Sequence, residues 1–267
     1  MPEGHTIHRH ARLHGQRFSG QRLAVSSPQG RFSSGAARLD GQRLEATDAL
    51  GKHLIYRWSG GDLLHVHLGL FGKFRTFVSE PPPPTEGTRL AWSGEGGTLY
   101  LAGPTICELI DPDQEAHLRS RIGPDPLQRG NGRAAQFAAN LQRRSVPIGT
   151  AMLDQKAIAG VGNVYRAEIL FLTGINPHTR SRDLTDDQVA VIWATTVDQL
   201  RRGEKAGRIV TVEPAEVGAA SRRALSRGER LYVYKRDGEP CRRCGSEIRR
   251  AEMAGRWIWW CPSCQPP

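Results

Sequence analysis

The sequence contains no apolar run approaching the roughly 20 residues that cross a bilayer. Its first residues also lack the apolar core of a signal peptide. Membrane-spanning and exported classes are therefore set aside, and the chain is expected to be soluble, without a membrane partner, and located in a bacterial-type cytosol or nucleoid. Acidic residues are in deficit: 27 Asp+Glu face 37 Lys+Arg, a formal charge of +10, which favours a polyanionic partner such as nucleic acid over an acidic small substrate. Cysteines are few as well, and four of the five crowd between Cys241 and Cys264, a poor layout for a disulfide framework in so long a chain. There is no internal repeat at solenoid periods.

What is present has the length for two domains, since 267 residues can bury two ordinary cores. A short helix is expected after Glu3, with Ile7, Ala11 and Leu13 on its apolar side and Gly15 ending it. The pattern then shortens. Leu54–Trp58, Leu63–Leu68 and Thr98–Leu101 are brief, β-rich and bounded by glycines, as antiparallel strands of a sandwich or barrel are. The proline run 81–84 cannot join a sheet interior and reads as an exposed loop.

Residues 124–133 are the expected linker between an N-terminal domain, 1–123, and a helical domain, 134–230; the zinc finger is assigned to 231–267. In the helical part a helix is expected over 148–157, then a Gly160-Val161-Gly162 turn and a second helix opening at Asn163. The clearest helix runs from Asp186 to Arg202, with Thr185 and Gln188 in capping-box positions and Gly203 at the expected C-cap.

Cys241-x2-Cys244, sixteen residues, then Cys261-x2-Cys264 supplies two thiolates from each of two turns, enough to close a tetrahedral shell around one structural Zn²⁺. The intervening segment mixes Arg249, Arg250 and Arg256 with Trp257, Trp259 and Trp260, a composition suited to a phosphate backbone; a ribbon that only folds the C-terminus is the other reading. Cys107 lies in an apolar segment and reads as an inert core residue. The stretch from Gly218 to Arg250 holds nine Arg and one Lys against four acidic residues, so over half the net charge sits there.

Gly160-x-Gly162-Asn163 places flexible backbone and an N-capping amide at a helix N-terminus, where a phosphate is favoured. At the start, Met1-Pro2-Glu3 is a sequence from which the initiator methionine is normally removed, exposing the Pro2 amine. An α-amino group has a pKa near 8, so a useful fraction is unprotonated at neutral pH and able to attack a sugar carbon, with Glu3 beside it to move protons.

Met1-Pro2-Glu3-Gly4, Gly51-Lys52-His53-Leu54, Gly160-Val161-Gly162-Asn163 with Tyr165-Arg166-Ala167-Glu168, and the four-cysteine ribbon occur in one order along the chain. In this the sequence resembles endonuclease VIII and the formamidopyrimidine-DNA glycosylases over nearly its whole length. The resemblance implies an α+β fold: an N-terminal β-sandwich with flanking helices, then a helical domain with a helix-two-turn-helix unit and a zinc-finger β-hairpin, with damaged DNA between them and the protein monomeric. It implies Pro2 as nucleophile, Glu3 as general acid/base and Lys52 as a phosphate-binding and catalytic lysine. Asn163 and Arg256 become phosphate contacts. Glu168 holds the helical unit in shape. Leu70 and Phe71, on a glycine-flanked turn, become a wedge filling the gap left by a flipped base.

The implied activity is a bifunctional glycosylase/AP lyase of base excision repair, acting through a proline Schiff base and β,δ-elimination. Gly4 is the residue of the endonuclease VIII branch and favours oxidised pyrimidines; an oxidised-purine glycosylase and a non-catalytic zinc-ribbon DNA-binding protein are the alternatives. At His5-Thr6 the chain departs from the many relatives that carry a proline followed by a glutamate. The histidines at 5, 8, 10 and 14 are expected on a partly solvated helix face, and His65 and His67 as packing or backbone contacts.

Overall fold

The structure, a computed structural model, describes residues 2–267; the expected removal of Met1 lies outside them. The chain divides into two compact units, residues 1–121 and 122–267. Among the described residues no helix is long and apolar enough to cross a membrane.

The first unit starts with helix α1 (Gly4–Phe18), followed by β1 (Ala24–Ser26), α2 (Ser33–Leu39), β2 (Leu44–Leu50), β3 (His53–Trp58), β4 (Leu63–His67), β5 (Lys73–Phe77), β6 (Thr88–Gly94), β7 (Gly97–Ala102), β8 (Ile106–Ile110) and α3 (Pro112–Arg121). The strands form two antiparallel four-stranded sheets, ordered β2-β3-β4-β8 and β1-β6-β7-β5. Leu54, Tyr56, Leu64 and Val66 of one sheet and Leu90, Trp92, Leu99 and Leu101 of the other share a core with Ile7, Ala11 and Phe18 of α1. Alternation at period 2 sends these residues inward. Trp92 is the hub, with edge-on rings of Phe18, Tyr56 and Trp58 5.1–5.9 Å away. The expected α+β sandwich with helices is what the chain forms, and the proline run lies in the loop between β5 and β6.

α1 does not stop at Gly15. A Cβ there would come within 2.7 Å of Thr47 Oγ1, and Thr47 Oγ1 donates to the Ala11 carbonyl at 2.6 Å; the glycine permits close approach to β2 and the helix runs on to Phe18. With that extra turn the buried face moves from Leu13, which is exposed, to His14 and Phe18. Of the histidines expected on a partly solvated face, His8 and His10 are half-buried, whereas His5 and His14 are buried, and His14 Nδ1 meets the Tyr56 hydroxyl at 2.7 Å. Burial is the main cause pushing His5 down to about 3, and it pushes His14 well below the usual imidazole range.

The second unit comprises α4 (Arg133–Gln142), α5 (Ile148–Ala151), α6 (Asn163–Leu172), α7 (Asp186–Ala206), β9 (Arg249–Met253) and β10 (Arg256–Trp260). Its helices bury Phe137, Leu141, Met152, Tyr165, Ile169, Ile192 and Leu200 together. The segment 124–133 begins inside this unit: Pro124, Asp125 and Pro126 are buried, and the Pro124 carbonyl accepts from Ala159 N–H at 3.0 Å. The helix expected over 148–157 ends at Ala151 because Asp154 turns the chain, its carboxylate accepting from Lys156 N–H at 2.9 Å. The Thr185–Gln188 capping box is present on α7. The helix passes through the buried Gly203 and ends at Gly207, which takes φ +70.

Both His5 and His14 fold neutral and become protonated on unfolding below pH 6.5. Unfolding therefore takes up protons, and each of the two withholds about 1.4 kcal/mol of stability for every pH unit below that value until its folded pKa is reached. We expect denaturant midpoints of the first unit to fall steadily from pH 6.5 to 4.5; a flat profile would show these histidines to be solvated.

Candidate active site and nucleic-acid interface

Two contacts fix how α1 lies on the first sheet. Leu44 exchanges backbone hydrogen bonds with Gly20 and Gln21 beyond the end of the helix, and Thr47 sits against Ala11 and Gly15. β2 therefore runs antiparallel to α1, and at about 3.3 Å per strand residue and 1.5 Å per helix residue its far end draws level with the start of the helix. This brings the β2–β3 turn, with Lys52, to the same end of the sheet as Pro2 and Glu3. The turn is two residues long, Leu50 pairing with His53, and Gly51 takes φ +58 at its first position, as a primed hairpin turn demands.

Pro2 is half-buried. Glu3 is wholly buried and occupies the N-cap of α1 with extended backbone, its carbonyl accepting from Thr6 N–H at 2.9 Å while its side chain makes no cap. Lys52 is half-buried. The same end of the sheet carries the turn after β4, because His67 pairs with His53. There Gly72 N–H closes on the Leu68 carbonyl at 2.9 Å, and Cβ atoms at Gly69 and Gly72 would collide with Thr105 and Leu68. This tight turn buries Leu68 and leaves Leu70 57 % and Phe71 85 % exposed. Apolar side chains held out by a rigid turn are costly in water and point to a partner.

In the second unit the four cysteine sulfurs lie within 4.8 Å of one another. Two contacts, Cys241–Cys264 at 3.9 Å and Cys244–Cys261 at 3.4 Å, bracket the ~3.8 Å edge of a tetrahedron of sulfurs 2.3 Å from a zinc. The residues fit one structural Zn²⁺, held by all four thiolates with no position open for substrate. β9 and β10 pair antiparallel between the two cysteine pairs. Ala254 and Gly255 at their tip have φ +54 and +67, both positive as a two-residue I′ turn requires. Arg256 stands exposed immediately after this tip, and Arg250 stacks on the half-exposed Trp257 at 4.7 Å.

Asn163 is not the helix cap that its position suggested. Gly162 holds the N-cap, and Asn163 is the first residue of α6. Its amide donates to the Trp257 carbonyl at 3.0 Å and accepts from Arg166 Nη2 at 2.5 Å. Arg166, fully buried, also donates to the carbonyls of Trp257 (2.9 Å) and Gly149 (3.1 Å). Asn163 and Arg256 are thus brought to one end of the hairpin. Glu168, equally buried, accepts from the N–H groups of Tyr232, Val233 and Tyr234 at 2.8–2.9 Å and from the Thr211 hydroxyl. Three positions of one short helix therefore hold both the hairpin and the strap leading to it. Sequence reasoning missed Arg166 as the anchor, though its flanking by Asn163 and Glu168 at helical spacing was a usable signal.

Residues 1–104 match the formamidopyrimidine-DNA glycosylase N-terminal domain, 122–213 the formamidopyrimidine-DNA glycosylase H2TH domain, and 238–267 the zinc finger found in FPG and IleRS. The chain is 42 % identical over 270 residues to Endonuclease 8 1 of Mycobacterium tuberculosis, covering 99 % of this chain and 100 % of the relative. It is 32 % identical over 244 residues to formamidopyrimidine-DNA glycosylase of Thermus thermophilus, covering 86 % and 85 %. Its fold is similar to that of the Lactococcus lactis Fpg in complex with DNA containing an abasic site, with a TM-score of 0.82 at 26 % identity over 99 % of this chain and 100 % of the other.

Replacing Cys244 by serine should abolish zinc binding and destabilise the second unit while sparing the first, since little other than α6 and the metal organises the hairpin. Metal analysis of the purified protein that finds less than about one zinc per chain would overturn the assignment.

Proposed function

The chain belongs to the formamidopyrimidine-DNA glycosylase/endonuclease VIII family, DNA glycosylases of base excision repair with AP lyase activity, and from this premise we propose that it removes oxidised bases, pyrimidines above all, through a Schiff base on Pro2. The observation that carries the proposal is the convergence of Pro2, the buried Glu3 and Lys52 at one end of the first sheet, next to the exposed Leu70 and Phe71.

Once Met1 is removed, Pro2 carries a secondary amine one residue ahead of the N-cap of α1. The positive end of the helix disfavours protonation there and keeps a lone pair available near neutral pH. The amine attacks C1′ as the C–N bond to the damaged base breaks and the base leaves with a proton. Opening of the sugar ring then gives an iminium between the Pro2 nitrogen and C1′. Glu3, shielded from bulk water, exchanges its proton with the sugar rather than with solvent. Lys52 binds a phosphate and assists the proton transfers. The iminium acidifies the C2′ hydrogen, so the 3′ phosphate is expelled in β-elimination and the 5′ phosphate in δ-elimination, leaving a one-nucleotide gap with phosphates at both ends.

Asn163 and Arg256 contact phosphates. An amide nitrogen has two hydrogens, so bonding to the Trp257 carbonyl leaves Asn163 able to reach a phosphate as well. The pyrimidine preference rests on Gly4 and on the name of the Mycobacterium relative. Relatives and solved structures named for formamidopyrimidine glycosylases keep oxidised purines as the second reading, and a panel of defined-lesion duplexes separates the two.

Borohydride reduction during turnover on an oxidised-pyrimidine duplex should cross-link DNA to Pro2, as peptide mapping will show, and a chain retaining Met1 should give no adduct because the acylated nitrogen has no free lone pair. An adduct on Lys52 with Pro2 unmodified would refute the assignment.

Leu70→Ala and Phe71→Ala should slow excision from duplex by on the order of tenfold or more while affecting single strands little, because a wedge is needed only where a base stack has been opened. Equal losses on both substrates would assign these residues to folding.

A further inference from the structure

The proline run between β5 and β6 covers a hollow on the outer face of the second sheet. Phe74 of β5 packs on the core, so alternation turns Lys73 and Arg75 to the other face, where both are exposed. Lys73 and Thr88 each lie opposite Ala102 of the middle strand β7. Directly opposed residues share a face, and the methyl group of Ala102 is too short to fill the space between its two neighbours. A cavity of about 80 Å³ results, walled by Lys73, Arg75 and Thr88 and roofed by Pro82 and Pro83. Tyr100 donates its hydroxyl to the Pro82 carbonyl at 3.0 Å, which ties down a loop whose φ angles the prolines already fix.

The charged groups around this hollow are of one sign. Lys73 and Arg75 have no ion-pair partner among the described residues, and no carboxylate lines the cavity. Thr88 is 1 % exposed, and its hydroxyl meets that of Thr85 at 3.2 Å. Two facing hydroxyls bring two hydrogens and use one between them, so one O–H is left over. A surplus donor beside two unpaired cations calls for an acceptor that carries negative charge. The volume holds several waters or one tetrahedral oxyanion.

We propose that the hollow is a phosphate site that takes one backbone phosphate of the bound DNA, neutralised by Lys73 and Arg75 and accepting from the remaining threonine hydroxyl. The path of the chain identifies the source of the phosphate. Lys73 is two residues beyond Phe71, so their Cα atoms stand within about 7 Å of each other. A wedge entering the base stack brings the flanking backbone to the same place. The proposal rests on the reading of Leu70 and Phe71 as that wedge.

The salt dependence of duplex binding by the full-length protein is the test, measured between about 50 and 200 mM salt on an abasic-analogue duplex and on an undamaged one. Replacing both cations, Lys73→Gln with Arg75→Gln, should make the slope of log affinity against log salt shallower by about one, the share of one phosphate. Affinity at the low-salt end should fall on the order of tenfold, equally for both duplexes, with the melting temperature retained because both side chains are exposed and unpaired. Thr88→Val should weaken binding severalfold at the native slope, since the hydroxyl carries no charge. A native slope in the double variant, or native affinity in Thr88→Val, overturns the proposal. If inorganic phosphate then still shifts the Thr85 and Thr88 amide resonances of the native protein, the hollow serves a free anion and not DNA. Phe71→Ala separates this reading from the one beneath it: native excision from duplex by that variant removes the wedge, whereas the slope of the double variant reports on the hollow alone.

Discussion

The approach of α1 to β2 is the contact on which the grouping of Pro2, Glu3 and Lys52 at one end of the first unit depends. Gly15 lets the helix come down on Thr47, the Thr47 hydroxyl ties into the helix at the Ala11 carbonyl, and the register that follows carries the helix N-terminus to the β2–β3 turn. A terminal amine is ordinarily the least ordered group of a chain. Pro2, proposed above to carry that amine, is attached to a helix whose inner face, through Ile7, Ala11 and Phe18, is sunk in the sandwich core. On that proposal the cost of ordering the reactive group is met by the folding of the domain and need not be drawn from substrate binding.

The second unit solves a different problem. A two-stranded hairpin has too little apolar surface to stand alone in water, so it is held at one end by four thiolates and along its length by α6. Asn163, Arg166 and Glu168 are buried polar groups, and each side chain is engaged with backbone of the hairpin or its strap. Leaving any one of these buried partners unsatisfied costs about 1–3 kcal/mol, so a hairpin shifted along the helix would be strongly disfavoured. The exposed Arg256 inherits its position from that register.

The histidines separate into two groups with different physics. His5 and His14 lie on the buried face of α1 and are neutral through loss of hydration. His53 and His65 sit on the strands, His53 Nδ1 lying 2.9 Å from His65 Nε2 and His65 Nδ1 lying 3.2 Å from Glu108 Oε1. Seen only as a sequence, both groups are histidines at helix or strand spacing.

Much was legible in the chain before folding was considered. Paired thiolates at short spacing, alternation in the strands, the Thr185–Gln188 cap and the proline that follows Met1 are local patterns whose meaning does not depend on distant neighbours. The sequence by itself therefore determined the class of fold, the metal and the residue types available for the chemistry. It could not tell that Gly15 continues its helix, because a glycine that ends a helix and one that admits a neighbouring strand are the same letter. Nor could it tell that Asn163 serves the hairpin rather than its own helix end, or that Glu108 lies against His65 from 43 residues away. Those assignments belong to the tertiary structure, since a hydrogen-bond partner, a close approach and a loss of hydration are each created only when segments remote in sequence meet.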